Sequence, residues 1–237
     1  MKHYILALSM ALLFGATASA TVTYSTNGVF NCTNGDFADG VSGTDSISGC
    51  AAGGSNSITL NDGAGGSGNE SITLTFINLT NQSLNASSGT FANYGSIQAT
   101  CAGAGCGSSA QVITLTGGLL SIALSISESV PDSSPNHSAG TAGVTGGIAN
   151  DSSTLTVGSY SGSPVTITGL TDTVIYTINT SDTLFAPTNG ATPGRSGLGM
   201  TITDTAVVSS ETPEPATLAL FGAGLVGLGF ARRRKQA

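Results

Sequence analysis

Ser71-Ile72-Thr73-Leu74-Thr75-Phe76 is the stretch on which the fold turns. Its large apolar side chains, Ile72, Leu74 and Phe76, occupy every second position, with hydroxyl residues between them. A period of 2 gathers all three on one face of an extended chain and the hydroxyls on the other, which is the pattern of a half-buried antiparallel strand. Wound at 3.6 residues per turn, the same side chains would not share a face. Leu120-Ser-Ile-Ala-Leu-Ser-Ile126 repeats the pattern through Leu120, Ile122, Leu124 and Ile126. Residues 57–60, 94–100, 111–116, 153–157, 164–170, 173–179 and 199–205 are further strand candidates. Turn clusters such as Asn61-Asp62-Gly63 and 131–136 separate them. About eight to ten short strands with no helical window predict an all-β body, an antiparallel β-sandwich or jelly roll. A β-solenoid would show a fixed repeat of roughly 20–50 residues, and none is found.

Charge is distributed unevenly. Lys2, Arg232, Arg233, Arg234 and Lys235 lie at the ends, so Arg195 is the one cation between them. All 13 Asp and Glu lie in that same interval, and one cation against 13 acids leaves −12. The expectation is an acidic surface that repels phosphate, so that no nucleic acid is a partner. Charged residues are still only 8% of the chain, and the remaining polarity comes from Ser, Thr, Gly and Asn.

The four cysteines, Cys32, Cys50, Cys101 and Cys106, are even in number, which in an exported chain favours disulfides over metal or redox chemistry. Of the three connectivities, Cys32–Cys50 with Cys101–Cys106 is preferred because each pair encloses its own Gly-rich loop. The close paired thiolates of a zinc site are absent. No cofactor and no catalytic set is expected. His137 is the only histidine after His3 and sits among Ser, Pro and Asn, and neither a G-x-S-x-G nor an H-E-x-x-H motif occurs. Glu70 and Glu128 lie on or beside predicted strands, so a carboxylate pair for glycoside hydrolysis stays open, while most Asp are read as turn formers. Asp36, Asp39 and Asp45, with Asn34 close by, form the best local oxygen cluster for Ca²⁺. Its spacing departs from the D-x-D-x-D-G ladder, and a plain turn is preferred. For a carbohydrate platform the candidates are Tyr94, Tyr160 and Tyr176, although sheet packing explains them as well. For an ordered hydroxyl array the candidates are Thr73, Thr75, Thr114, Thr116, Thr154 and Thr156, where β-propensity is again sufficient.

The two ends read as addresses. Residues 1–20 fit a secretory signal peptide: Lys2, an apolar stretch from Ile5 to Phe14, then Ala18-Ser19-Ala20 as an A-x-A cleavage site. The mature chain is expected to begin at Thr21. The body is expected over 21–208, a linker with Pro213-Glu214-Pro215 over 209–215, an apolar helix over 216–231 and a basic tail over 232–237. As a helix, 216–231 spans roughly 24 Å, short of a hydrocarbon core of about 30 Å. Arg232, Arg233, Arg234 and Lys235 follow as a stop-transfer flank on the cytoplasmic side.

Pro-Glu-Pro, a short apolar helix and an arginine cluster, in that order, resemble the PEP-CTERM sorting signal of Gram-negative bacterial surface proteins. Pro213, Glu214 and Pro215 match its recognition motif, and Arg232 to Arg234 its basic stop. The resemblance spans 212–235 and implies processing by the exosortase, an integral-membrane cysteine transpeptidase, with an association with exopolysaccharide and biofilm. It further implies an inner-membrane intermediate facing the periplasm, then the cell surface or the exterior. The same tail occurs on some ice-binding proteins. The expected protein is therefore a non-enzymatic surface or matrix protein. The alternative is a secreted carbohydrate-binding module, a glycan-active enzyme or an ice-binding protein with the same tail.

Overall fold

The computed structural model describes residues 20–206 apart from 38–44, 64–69, 87–88, 104–105, 107–111, 132, 170–171, 180 and 188–191. The chain divides into Met1–Ala206 and Val207–Ala237, and the described residues all belong to the first unit. Most of the expected signal peptide, the linker, the apolar helix and the basic tail lie outside them.

Two antiparallel sheets make up the body. The first contains β1 (Ala20–Cys32), β6 (Gln82–Ala86), β8 (Ile113–Val130), β9 (Ser134–Ala149), β10 (Ser152–Ser153), β11 (Thr156–Val157) and β14 (Asp182–Thr183). The second contains β2 (Gly35–Phe37), β3 (Asp45–Ser48), β4 (Ser57–Asn61), β5 (Glu70–Ile77), β7 (Thr90–Gly103), β12 (Val165–Thr168), β13 (Asp172–Ile178) and β15 (Gly194–Ala206). Their orders are β14-β11-β9-β8-β1-β6, with β10 on β9, and β12-β13-β15-β7-β5-β4-β3-β2. No helix occurs among the described residues. The alternation of 71–76 is realised directly: along β5 every second residue is buried. Phe30, Ile122 and Val144 of the first sheet share one buried cluster with Leu60, Leu74, Ile97 and Met200 of the second. Two inner faces closing on one core define a β-sandwich, as the alternation predicts.

The strands are more numerous and longer than expected, and the reasons are local. Segments 111–116 and 120–126 belong to one strand, β8. Its register on β9 shifts between Leu115 and Leu120, and Gly118 sits there at φ +93°. A β-bulge inserts one residue and changes which parity faces inward, so Leu115 and Leu120 are both buried although odd and even. β9 is built on Ala139, Ala142 and several glycines, whose small side chains leave no period to read. It begins at Ser134, inside the span expected as a turn. The expected strand over 153–157 is split at Thr154-Leu155 into β10 and β11.

One contact ties the two sheets at close range. The buried Phe76 ring of β5 lies against Gly28 of β1 and Gly95 of β7, and a Cβ at either glycine would overlap it. Cys32–Cys50 joins the end of β1 to the segment after β3, hence one sheet to the other, with Cα atoms 5.5 Å apart. Cys101–Cys106 closes the loop after β7 at 5.8 Å. Both follow the preferred pairing, and loops of this size stabilise by about 2–4 kcal/mol each.

Candidate functional site

The carboxylates are not where composition places them. Of the eight whose side chains are described, Asp45, Asp62, Glu70, Glu128 and Asp172 are buried, Asp182 and Asp204 half-buried, and Asp151 exposed. Asp45, Asp172, Asp182 and Asp204 are strand residues, not turn formers. Strand ends explain this. An inward-pointing residue at the last position of a strand leaves the apolar core and reaches the polar loops that close the sandwich. The acidic exterior expected from the sequence is thus largely an acidic interior among the described residues.

At one end of the sandwich three acids form a row. Ser46 of β3 is opposite Asn61 of β4, and Asn61 is opposite Ser71 of β5. One step further, the same register aligns Asp45, Asp62 and Glu70, and the Asp62 N–H donates to the Glu70 carbonyl at 3.0 Å. Glu70 Oε1 accepts the Asn150 N–H at 3.1 Å, and Asn150 Nδ2 donates to the Cys106 carbonyl at 2.9 Å. Glu70 Oε2 is buried without a hydrogen bond. An opening of about 370 Å³ borders Asp62, Gly63, Glu70 and Gly103. At the other end, Glu128 Oε2 accepts from the Tyr176 hydroxyl at 2.6 Å. Asp204 lies opposite Val174, and its Oδ1 is buried without a hydrogen bond.

Burial holds the Glu70 carboxyl above its usual range; the Asn150 N–H pulls it down, and the Asp62 charge adds to the rise. Burial also raises Asp182, against a hydrogen bond from the Gly199 N–H, and raises Asp204. In mild acid the folded chain therefore holds protons that the unfolded chain lacks. Stability should fall as pH rises from the ordinary carboxylate range near about 4 through the raised folded values, then level off. Thermal unfolding between about pH 4.5 and pH 8 checks this: the midpoint should drop with rising pH, and Glu70→Gln should flatten the slope. A midpoint that climbs with pH in this window would refute it.

The other sequence candidates resolve as follows. Tyr94, Tyr160 and Tyr176 are buried and offer no platform. Tyr94 and Tyr160 meet edge to face at 5.6 Å with their hydroxyls 3.2 Å apart. Tyr24 packs on Tyr176 at 6.1 Å and donates to the Asn93 carbonyl at 2.8 Å. Burial pushes the Tyr24 and Tyr160 phenols up to about 12 and raises those of Tyr94 and Tyr176 as well. Glu70 and Glu128 stand at opposite ends of the sandwich. Asn150, which holds Glu70, follows Ile148 opposite Ile113 at the start of β8, whereas Glu128 is near its end. They do not flank one cleft. His137 meets Ser134 Oγ at 2.6 Å through Nε2, but no carboxylate among the described residues bonds the ring to orient it as a catalytic base.

In the expected Ca²⁺ cluster, Asp39 lies outside the described residues, as does the side chain of Asp36. Asn34 is engaged elsewhere: Nδ2 donates to the Cys50 carbonyl at 3.0 Å and Oδ1 accepts the Cys50 N–H at 2.7 Å. Asp45 Oδ1 accepts from the Gly63 N–H at 3.4 Å. Among the described residues no three His, Cys, Asp or Glu come together as a metal set. The six threonines make no common array. Thr73 and Thr75 lie in the second sheet and bond across to Thr59 and Ser57, whereas Thr114 and Thr156 lie in the first.

A feature that sequence reading missed is the outer face around β15. Phe91 on β7 is 85% exposed, on the outward side opposite Thr201. Beside it a trough of about 260 Å³ borders Phe91, Ala92, Asn93, Gly199 and Met200. Between Arg195 and Thr201 the outer-face positions of β15 are Gly197 and Gly199, which carry no side chain. A Cβ at 197 would stand 3.9 Å from Asn93 Oδ1, and one at 199 would meet Asn179 Nδ2 at 2.5 Å. Two exposed amides therefore flank this part of β15, that of Asn179 lying over Gly199, with the Phe91 ring at the lip of the trough. Phe91 carries no sequence signal, because only the register shift between Leu198 and Gly199 fixes which way its neighbourhood faces.

The tail completes the candidates. Residues 211–235 match the family model of the PEP-CTERM protein-sorting motif. No curated protein and no solved structure matched the chain. The protein is thus an exported, exosortase-sorted one by class. The chain carries the PEP-CTERM sorting motif at 211–235, and its all-β body is held by two disulfides.

Proposed function

We propose that this is a non-enzymatic surface or extracellular-matrix protein whose sorting mechanism lies in its tail. The observation that carries the reading is the sorting motif at 211–235. In this reading Arg232, Arg233, Arg234 and Lys235 halt translocation, and the apolar helix over 216–231 holds the body on the periplasmic side of the inner membrane. Pro213 and Pro215 fix φ near −65° and disfavour helix in the residue before each. Glu214 is therefore presented to the exosortase as extended backbone. Cleavage near the motif releases the body to the surface or to the exopolysaccharide layer. The two disulfides support export into an oxidising compartment.

Mass spectrometry of both ends of the chain, recovered from surface, extracellular and membrane fractions of the host, tests this. The expected result is a start at Thr21 and a new C-terminus near Pro213–Pro215 in the surface or extracellular fraction. An intact peptide through Arg232 to Lys235, found in the membrane fraction alone, would make the tail a plain anchor and sink the proposal.

A further inference from the structure

We infer that the trough along β15 is a binding site for a neutral polysaccharide, with one sugar ring stacked on Phe91 and its hydroxyls bonded to Asn93 and Asn179. Three observations carry it. First, Phe91 is 85% exposed on a strand whose inward neighbours, such as Tyr94 and Ile97, are fully used in the core. A phenyl ring exposed to this extent gives little of its area to the core. It has, however, the π-face that the C–H side of a pyranose ring packs against.

Second, two exposed amides stand at the trough: Asn93 borders it, and the Asn179 side chain lies over Gly199, which borders it too. Each offers both donor and acceptor capacity, which is what sugar hydroxyls need. Third, Gly199 stands between the two segments that carry them, opposite Asn93 and bonded through its carbonyl to the Asn179 N–H, and has no side chain of its own to separate the two amides. At about 260 Å³ the trough is smaller than the roughly 300–1,000 Å³ of pockets that enclose a drug-sized ligand. It suits one residue of a chain that continues over the sheet.

Charge selects the class of glycan. All five residues bordering the trough are uncharged. Arg195, the only Lys or Arg among the described residues, lies further along β15, and its Nε donates to Ser96 Oγ at 3.1 Å. The site thus recognises shape and hydroxyls, not carboxylate or sulfate groups. The inference deepens the matrix reading above by naming what the body holds. It does not depend on how the tail is processed, because the site lies wholly in the body.

The test is affinity electrophoresis of the chain, purified from whichever host fraction contains it, through gels holding a soluble β-glucan, a galactomannan or a polyuronate. Retardation by at least one neutral gel is expected. Phe91→Ala should weaken it by about tenfold or more, and Phe91→Tyr should preserve it. Gly197→Thr, at a position with no positive φ where a Cβ meets Asn93 Oδ1 at 3.9 Å, should crowd the Asn93 amide and weaken retention to a similar degree without touching the aromatic ring. No retardation by any neutral gel, or retardation unchanged in both Phe91→Ala and Gly197→Thr, overturns the inference. Retention by the polyuronate alone, lost on Arg195→Gln, overturns it too. So does a Phe91-dependent dimer in sedimentation with no glycan binding, which would make the patch a contact between copies. Because mobility and chain ends are measured separately, failure here and failure of the sorting reading give different results.

Discussion

Phe76→Ala is expected to destabilise the body by about 3–5 kcal/mol, the range for truncating a buried Phe. Position, more than size, places it there. The ring projects from β5 of the second sheet onto Gly28 of the first, with Gly95 of β7 on its flank. Neither glycine has a side chain to move into the space the ring would vacate. The cavity term of a large-to-small substitution grows when the surroundings cannot collapse, and here they are backbone on both sides. Tyr24, on the strand of Gly28, and Tyr94, beside Gly95, are each held by a hydroxyl bond, to the Asn93 carbonyl and to Tyr160. Equilibrium denaturation in guanidinium at unchanged m-value checks the figure. Phe76→Leu should lose less than half as much. A loss below about 1 kcal/mol for the alanine variant would show that the sheets close over the gap.

Replacing Pro213, Glu214 and Pro215 together by alanine should have the largest effect on location. Three alanines remove both fixed φ values and are the best helix formers, so they should extend the helix proposed for 216–231 toward its N-terminus. The carboxylate disappears at the same time. If the transpeptidase reads an extended Glu flanked by proline, nothing remains to be read. Full-length chain should then accumulate in the membrane fraction and the surface form should fall to background. Immunoblots of fractionated cells decide it. Wild-type amounts of a shortened surface form would show that processing does not use this motif.

The fold was legible where side chains are large and alternate, as in Ser71–Phe76 and Leu120–Ile126. It was illegible where glycine and alanine replace them, as in β9, or where a bulge changes parity, as in β8 and at Leu198/Gly199. The tail could be read because its three parts are contiguous in sequence. The acid row could not, since Asp45, Asp62 and Glu70 come from three strands and only the register aligns them. Turn propensity of Asp was a sound prior that lost to strand-end placement. Sheet packing, which strand position favours for the tyrosines, is what Tyr94 does in the core, whereas Phe91 on the same strand points out.

Inward carboxylates also decide how the body stays in solution. With Arg195 and Asp151 the main charges left exposed among the described residues, the surface they form is hydrated through hydroxyls and amides more than through charge. Counter-ions screen a charged colloid over about 8–10 Å at physiological salt and far less in brine. A hydration layer on uncharged hydroxyls has no such length to lose. For the surface the described residues present, the force between copies should therefore change little between fresh water and brine.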